Sequence, residues 1–352
     1  MSNENKIATD SRIDPRIKRV FSQINLAAGA NVSSREDVIA IASSEKGNQV
    51  RAMVTLWLNA MDDESVAPSD GLNITQHTLT SSPDGNEIWM RLYRPDGDAP
   101  TPCVYYIHGG GMAHWSCDYG NYKAWARMIA AEGVAVATVE FRNAVTPSSI
   151  AEIAPYPAGL NDCVSGVRWL HENAKSLGID AGRIIIAGES GGGNLSIATT
   201  LTLKREGDLD KVQGLYALCP YIAGEWPAPN SPSSVENEGI LLSLHNNQGA
   251  MGYGIDAFLH KDPLAWPGFA SVEDVRGLVP TVVSVNECDP LRDEGVNFYR
   301  LLREADVPAM CRQVMGSIHA TEIFPTVCPD ICKETARSIA AHCRGETFWR
   351  SS

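Results

Sequence analysis

No run in this 352-residue chain is long and apolar enough to cross a bilayer, and the polar start Met1–Asp14 holds no signal-peptide core. Basic charge is scarce as well. There are 29 Lys and Arg against 42 Asp and Glu, a formal net charge of −13. Nucleic acid and an anionic membrane surface both call for a basic face, so neither is expected as a partner. The nine cysteines are scattered, with no C-x-x-C pair, and Cys328, Cys332 and His342 lack zinc-ligand spacing. Several lie in apolar runs, where a free thiol acts as a small hydrophobe. The expectation is a cytoplasmic protein in a reducing compartment, with no metal and no cofactor.

What is present suits a large core. Hydrophobic residues make up 44% of the chain and charged residues 20%. The length fits one α/β unit of about 250 residues with a smaller appendage. Asp14-Pro15 opens a short helix through about Ile24, after a start expected to be disordered to residue 13. Ser33-x-x-Glu36 has the capping-box pattern ahead of one amphipathic segment, Asp37–Asn59. Because this arm precedes every strand, residues 1–70 are expected to form part of a cap. Strands are expected over Asn73–Thr80 and Glu87–Arg94, joined by a turn at Ser82–Asn86. From Cys103 onward, strands and helices alternate, which implies a mostly parallel sheet covered on both faces. Residues 221–270 break that rhythm with Pro, Gly, Asn and Trp and are expected to be a cap insertion. The core is then 71–220 and 271–352.

The chain is organised around Gly188-Glu189-Ser190-Gly191-Gly192, which follows the apolar run Ile184–Ala187 and precedes a helical segment. A strand, a tight turn and a helix would leave Ser190 at the apex. A serine hydroxyl becomes a useful nucleophile only when exposed, aimed and paired with a base. The G-x-S-x-G elbow supplies the first two conditions. Upstream, His108-Gly109-Gly110-Gly111 follows another buried strand. Consecutive glycines let backbone N–H groups face a cavity, and donors aimed at a tetrahedral oxyanion are worth about 3–4 kcal/mol each. Gly109, Gly110 and Gly191 are the expected donors, and His108 is expected to be structural.

Downstream, Asp289 follows the strand Thr281–Val285, and His319 follows the last strand. Both then project from the carboxyl ends of parallel strands, where open α/β sheets place their sites. The order Ser190, Asp289, His319 is nucleophile, acid, base. Asp293 is expected to cap the following helix, and Glu189 to be a buried, hydrogen-bonded carboxylate.

On these motifs the chain resembles the hormone-sensitive-lipase-like branch of the α/β-hydrolases over most of residues 70–345. The carriers are HGGG at 108–111, GESGGGNL at 188–195, DPLRDEG at 289–295 and the late His319. Longer strings, EFRNA at 140–144, PYI at 220–222, SVENEG at 234–239 and DPLAWPGFAS at 262–271, are similar to the brefeldin A esterase-like carboxylesterases. Phe141–Val145 departs from the Tyr-Arg-Leu-Ala-Pro string of many members, which puts loop support near the acyl pocket in question. The resemblance implies an α/β-hydrolase fold, a cap built from the arm and the insertion, and hydrolysis of short-chain esters or lactones through an acyl-enzyme. Trp115 and Trp266 are the expected substrate-binding aromatics, with Trp226 and Tyr253 as further pocket or packing candidates. The expected partner is a small ester, with a homodimer as one option. A serine amidase or peptidase would use the same machinery, and a non-catalytic receptor on this fold remains a second alternative.

Overall fold

The computed structural model describes residues 5–23 and 29–348. Eight strands form one sheet: β1 (Leu72–Thr80), β2 (Glu87–Pro95), β3 (Thr101–Ile107), β4 (Ala135–Glu140), β5 (Ile179–Glu189), β6 (Gly214–Leu218), β7 (Thr281–Cys288) and β8 (Ala309–Ile318). Their spatial order is β1-β2-β4-β3-β5-β6-β7-β8. Only β2 runs against its neighbours; every pairing from β4 to β8 is parallel. The fold class read from the alternating pattern is the one observed.

Strand periodicity divides the core between the two faces. Cys103, Tyr105 and Ile107 join one buried cluster, and Val104 and Tyr106 the other. The first cluster is covered by helices Ala158–Leu177, Gly191–Glu206 and Arg292–Glu304. The second is covered by Gly120–Ala130 and Pro329–Cys343. Ala158–Leu177 stops at Gly178, whose φ of 68° is the left-handed geometry that ends a helix most readily with glycine.

The N-terminal arm differs from expectation in three places and agrees at the Asp14 cap. Lys6–Thr9 is helical, and Ile7 and Ile13 are buried in the second cluster, so the start is anchored by apolar contacts. Pro15–Phe21 forms with Asp14 as its cap; Ile24 lies outside the described residues. The capping box is Ser34 with Asp37, one residue later than the pattern suggested. The expected single segment is two helices, Arg35–Ser43 and Glu45–Asn59. Ser44 breaks them: its ψ of 161° is extended, and its hydroxyl accepts the Gly47 N–H of the next helix.

Residues 221–270 leave the sheet between β6 and β7 as short helices, including Gln248–Tyr253 and Ile255–Leu259. Their root is tied to the core by Glu294, which accepts from the N–H groups of Ile222 (2.8 Å) and Ala223 (2.6 Å) and from Trp226 Nε1 (3.0 Å).

Candidate active site

Ser190 follows β5 directly and precedes helix Gly191–Glu206. Its φ of 56° and ψ of −119° lie where side chains rarely go, at a cost of about 1–3 kcal/mol that the surroundings must hold in place. They do so by hydrogen bonds: Ser190 N–H donates to Leu218 O (3.0 Å) and Ser190 O accepts from Tyr221 N (3.1 Å). The turn also requires glycine beside it. A Cβ on Gly192 would stand 2.0 Å from Ile107 O, and one on Gly191 would stand 2.6 Å from Gly111 N. The elbow is therefore pressed against the glycine run that follows β3.

Asp289 follows β7 and His319 follows β8, so all three side chains leave the same edge of the sheet. His319 Nδ1 lies 2.8 Å from Asp289 Oδ2, and Asp289 Oδ1 accepts Leu291 N–H at 2.9 Å. Both residues are buried. Burial alone would pull the imidazole below its ordinary pKa. The charge and hydrogen bond of Asp289, with Glu189 and Glu322 behind it, outweigh that and raise it.

Ser190 and His319 line one cavity of about 360 Å³. Gly110, Gly111, Trp115, Tyr221 and Phe324 also line it, as do Phe21, Trp57 and Leu58 of the arm. Phe21, Trp57 and Phe324 pack on one another with ring centroids 5.1–5.5 Å apart. Sequence reasoning missed these arm residues. The only available signal was the aromatic content of an amphipathic segment, which does not say what it faces.

Three sequence expectations are corrected. Gly109 is not a free donor, because its N–H is spent on Glu189 Oε1 (2.6 Å) and Tyr122 Oη (3.1 Å). The N–H groups of Gly110 and Gly111 make no hydrogen bond among the described residues, and Gly191 N–H is the first of its helix. Trp266 does not line the cavity: it is fully buried among Tyr221, Trp226 and Tyr253. Trp226 stacks on Tyr221 at 4.5 Å, so both it and Tyr253 are packing residues. Asp293 does not cap the helix. It accepts Ser233 N–H (2.7 Å) and pairs with Arg292 Nε (2.9 Å), fastening the insertion to the core.

Supporting groups surround the site. Glu189 also accepts from the hydroxyls of Tyr106 and Tyr122, both at 2.6 Å, and burial lifts its pKa to about 7 against those bonds. His108 is structural, with Nδ1 2.8 Å from Gly109 O and its ring stacked on Phe141 at 4.4 Å. In the departing string Asn143 Nδ2 donates to Trp115 O (2.8 Å), and just before it Glu140, at the end of β4, accepts Cys117 N–H (2.9 Å). Those two bonds hold the loop that carries Trp115. Cys219, Asp289 and His319 offer ligand atoms within 4.8 Å of one another, but His319 is already committed to Asp289.

A family model described as an α/β hydrolase fold matches residues 103–323. The chain belongs to the α/β-hydrolase family. The structure of esterase Est22 superposes on this hydrolase with a TM-score of 0.94 and 64% identity, covering 97% of this chain and all of that one. Brefeldin A esterase, described as a bacterial homologue of human hormone-sensitive lipase, gives 0.83 and 33%, covering 96% of this chain and 95% of that one. Carboxylesterase NlhH of Mycobacterium tuberculosis is 32% identical over 263 residues, 72% of this chain and 77% of that protein. This α/β-hydrolase is a carboxylic ester hydrolase, and among its described residues no helix is long and apolar enough to cross a membrane.

Proposed function

We propose that Ser190, His319 and Asp289 hydrolyse short-chain carboxylic esters through an acyl-enzyme. The observation that carries this reading is a serine held at positive φ in the same cavity as a histidine whose far nitrogen is bonded to a buried aspartate. His319 takes the Ser190 proton as the oxygen attacks the carbonyl. Asp289 fixes the tautomer and stabilises the imidazolium. Gly110, Gly111 and Gly191 supply N–H groups to the oxyanion. His319 then gives its proton to the departing alcohol, and a water that it activates releases the acid. A raised imidazole pKa fits a base that must hold a proton between these steps.

The cavity volume and the Phe21-Trp57-Phe324 wall favour short acyl groups over long ones. The arm over 1–70 and the insertion over 221–270 act as the cap on a core of 71–220 and 271–352. Nine free thiols support a reducing, cytoplasmic setting. Exposed Met53 and Leu56 offer apolar area to a homodimer, tested by light scattering of the eluting protein. The deciding assay is a panel of 4-nitrophenyl esters of increasing acyl length, with matching anilides and lactones. Turnover should fall once the acyl chain outgrows the cavity of about 360 Å³. Anilides cleaved as fast as esters would sink the esterase reading.

A further inference from the structure

A second cavity, of about 440 Å³, adjoins the first, and Val54, His114 and Trp115 line both. Its outer wall is the bend between the two arm helices, where Ser44, Lys46 and Gly47 present the start of helix Glu45–Asn59. Among the described residues two cations line it, Lys46 and Arg51, and no carboxylate does. That is notable in a chain of net charge −13. Neither cation forms an ion pair among the described residues; Arg51 is braced by Ala42 O (3.2 Å) and by Asn48 Oδ1. Glu45, the nearest acid in sequence, is turned to Gln49 instead (3.3 Å). At the junction, His114 Nδ1 sits 3.0 Å from Thr146 Oγ1, and burial with the Arg51 charge brings its pKa down to about 4. The ring is thus a neutral polar group between an apolar inner chamber and an outer one where Lys46 and Arg51 stand beside Val38, Ile41 and Val50.

We propose that the outer chamber is a subsite for a carboxylate carried at the end of the substrate remote from the scissile ester, with Lys46 and Arg51 as its specificity residues. The proposal rests on the catalytic reading of Ser190 above. It makes the physiological substrate class esters that bear an anionic group, such as half-esters of dicarboxylic acids. The apolar inner chamber holds the carbon chain between ester and charge. A positive chamber on an acidic protein also focuses its field toward such a ligand and rejects none of the neutral ones.

The test compares charged with neutral esters in wild type and in Lys46→Glu, with Arg51→Gln as the second variant. The acyl-side pair is mono-4-nitrophenyl glutarate against 4-nitrophenyl pentanoate, and the alcohol-side pair is 4-acetoxybenzoate against 4-acetoxybenzamide. The quantity read is the charged-to-neutral ratio of kcat/KM, in which intrinsic reactivity cancels between proteins. That ratio should fall about tenfold or more in Lys46→Glu in one of the two pairs, which also tells which side of the ester carries the charge. In wild type it should shrink as ionic strength rises, since the chamber is open to solvent. A ratio unchanged in both pairs and both variants overturns the proposal, and so does an equal loss on charged and neutral esters. Neither result touches the catalytic reading, which is tested separately by turnover of the neutral esters in Ser190→Ala.

Discussion

The helix that carries Ser190 at its start and the arm helix that walls the cavity of Ser190 are held by opposite means. Every residue from Gly191 to Leu203 is buried, while helix Glu45–Asn59 buries only Leu58. In the first, even the hydroxyls are absorbed: Ser196, Thr200 and Thr202 donate to carbonyls one turn back at 2.7–2.9 Å. In the second, Met53 and Leu56 are 67% and 74% exposed. Atoms that must keep sub-ångström geometry sit on the element with nowhere to go. Side chains that only shape the substrate's space sit on one that can shift at little cost.

The contrast is tested most severely on the rigid side. Ser190→Ala should lower kcat by about 10⁴–10⁶ with the melting temperature almost unchanged, because the alanine occupies the same backbone geometry. A fluorophosphonate should label Ser190 alone. Retained turnover, or labelling of another serine, removes the elbow from the mechanism.

Next come two acids four residues apart. Asp289→Asn should cost about 10⁴ in kcat, because an amide donor facing His319 selects the wrong tautomer. Asp293→Asn should cost less than about tenfold, since its carboxylate holds Ser233 and Arg292 and never meets His319. Its penalty should appear as a lower melting temperature. Steady-state kinetics and melts on both variants separate a group that acts on the base from one that fastens the insertion. A dead Asp293→Asn beside an active Asp289→Asn would reverse the assignment.

On the arm, effects should be smaller and fall on binding. Trp57→Ala opens the aromatic wall that Phe21 and Phe324 complete, so KM for a butyrate ester should rise about tenfold with kcat within about threefold. Deleting the whole arm is the wrong experiment. Ile7, Ile13, Ile17 and Phe21 belong to the second core cluster, and their removal would expose it. A Trp57→Ala enzyme that loses kcat at constant KM would place the arm in the chemistry.

The same contrast explains what could be read from sequence. The elbow, the glycine run, Asp289 and His319 obey local rules: tight turns need glycine, and strand ends present side chains. They were legible together with the sheet they stand on. The arm's caps at Asp14 and Ser34 are local too, but which face its helices present is set by contacts far along the chain. Thus Phe21 and Trp57 went unseen, and a break at Ser44 was read as continuous helix. Gly109 failed for a related reason. Nothing in an HGGG run says that its first glycine N–H will meet the carboxylate of Glu189, 80 residues later. Trp266 lies in an insertion, where an aromatic can equally pack or line a cavity, and here it packs.

The smallest effect expected concerns the charges behind His319. Glu322 is buried, and Asn286 Nδ2 lies 3.2 Å from each of its carboxylate oxygens. Burial raises its own pKa, while its own backbone N–H, then Asn286, Arg312 and His319, oppose the rise. When ionised it favours the imidazolium, adding to the larger pull of Asp289. A base with a raised pKa loses activity as pH falls, and begins to lose it at a higher pH than an unperturbed histidine would. Glu322→Gln removes one negative charge while keeping an acceptor, so the acid limb of kcat/KM should move to lower pH. The stability linked to His319 runs the other way. Its raised pKa stabilises the fold below the unfolded imidazole value and that contribution fades as pH rises through the folded value. Glu322→Gln should therefore also reduce the part of the melting temperature that declines with rising pH. An acid limb that stays in place would mean that Glu322 is already protonated when His319 titrates, and that Asp289 and Glu189 alone set the base.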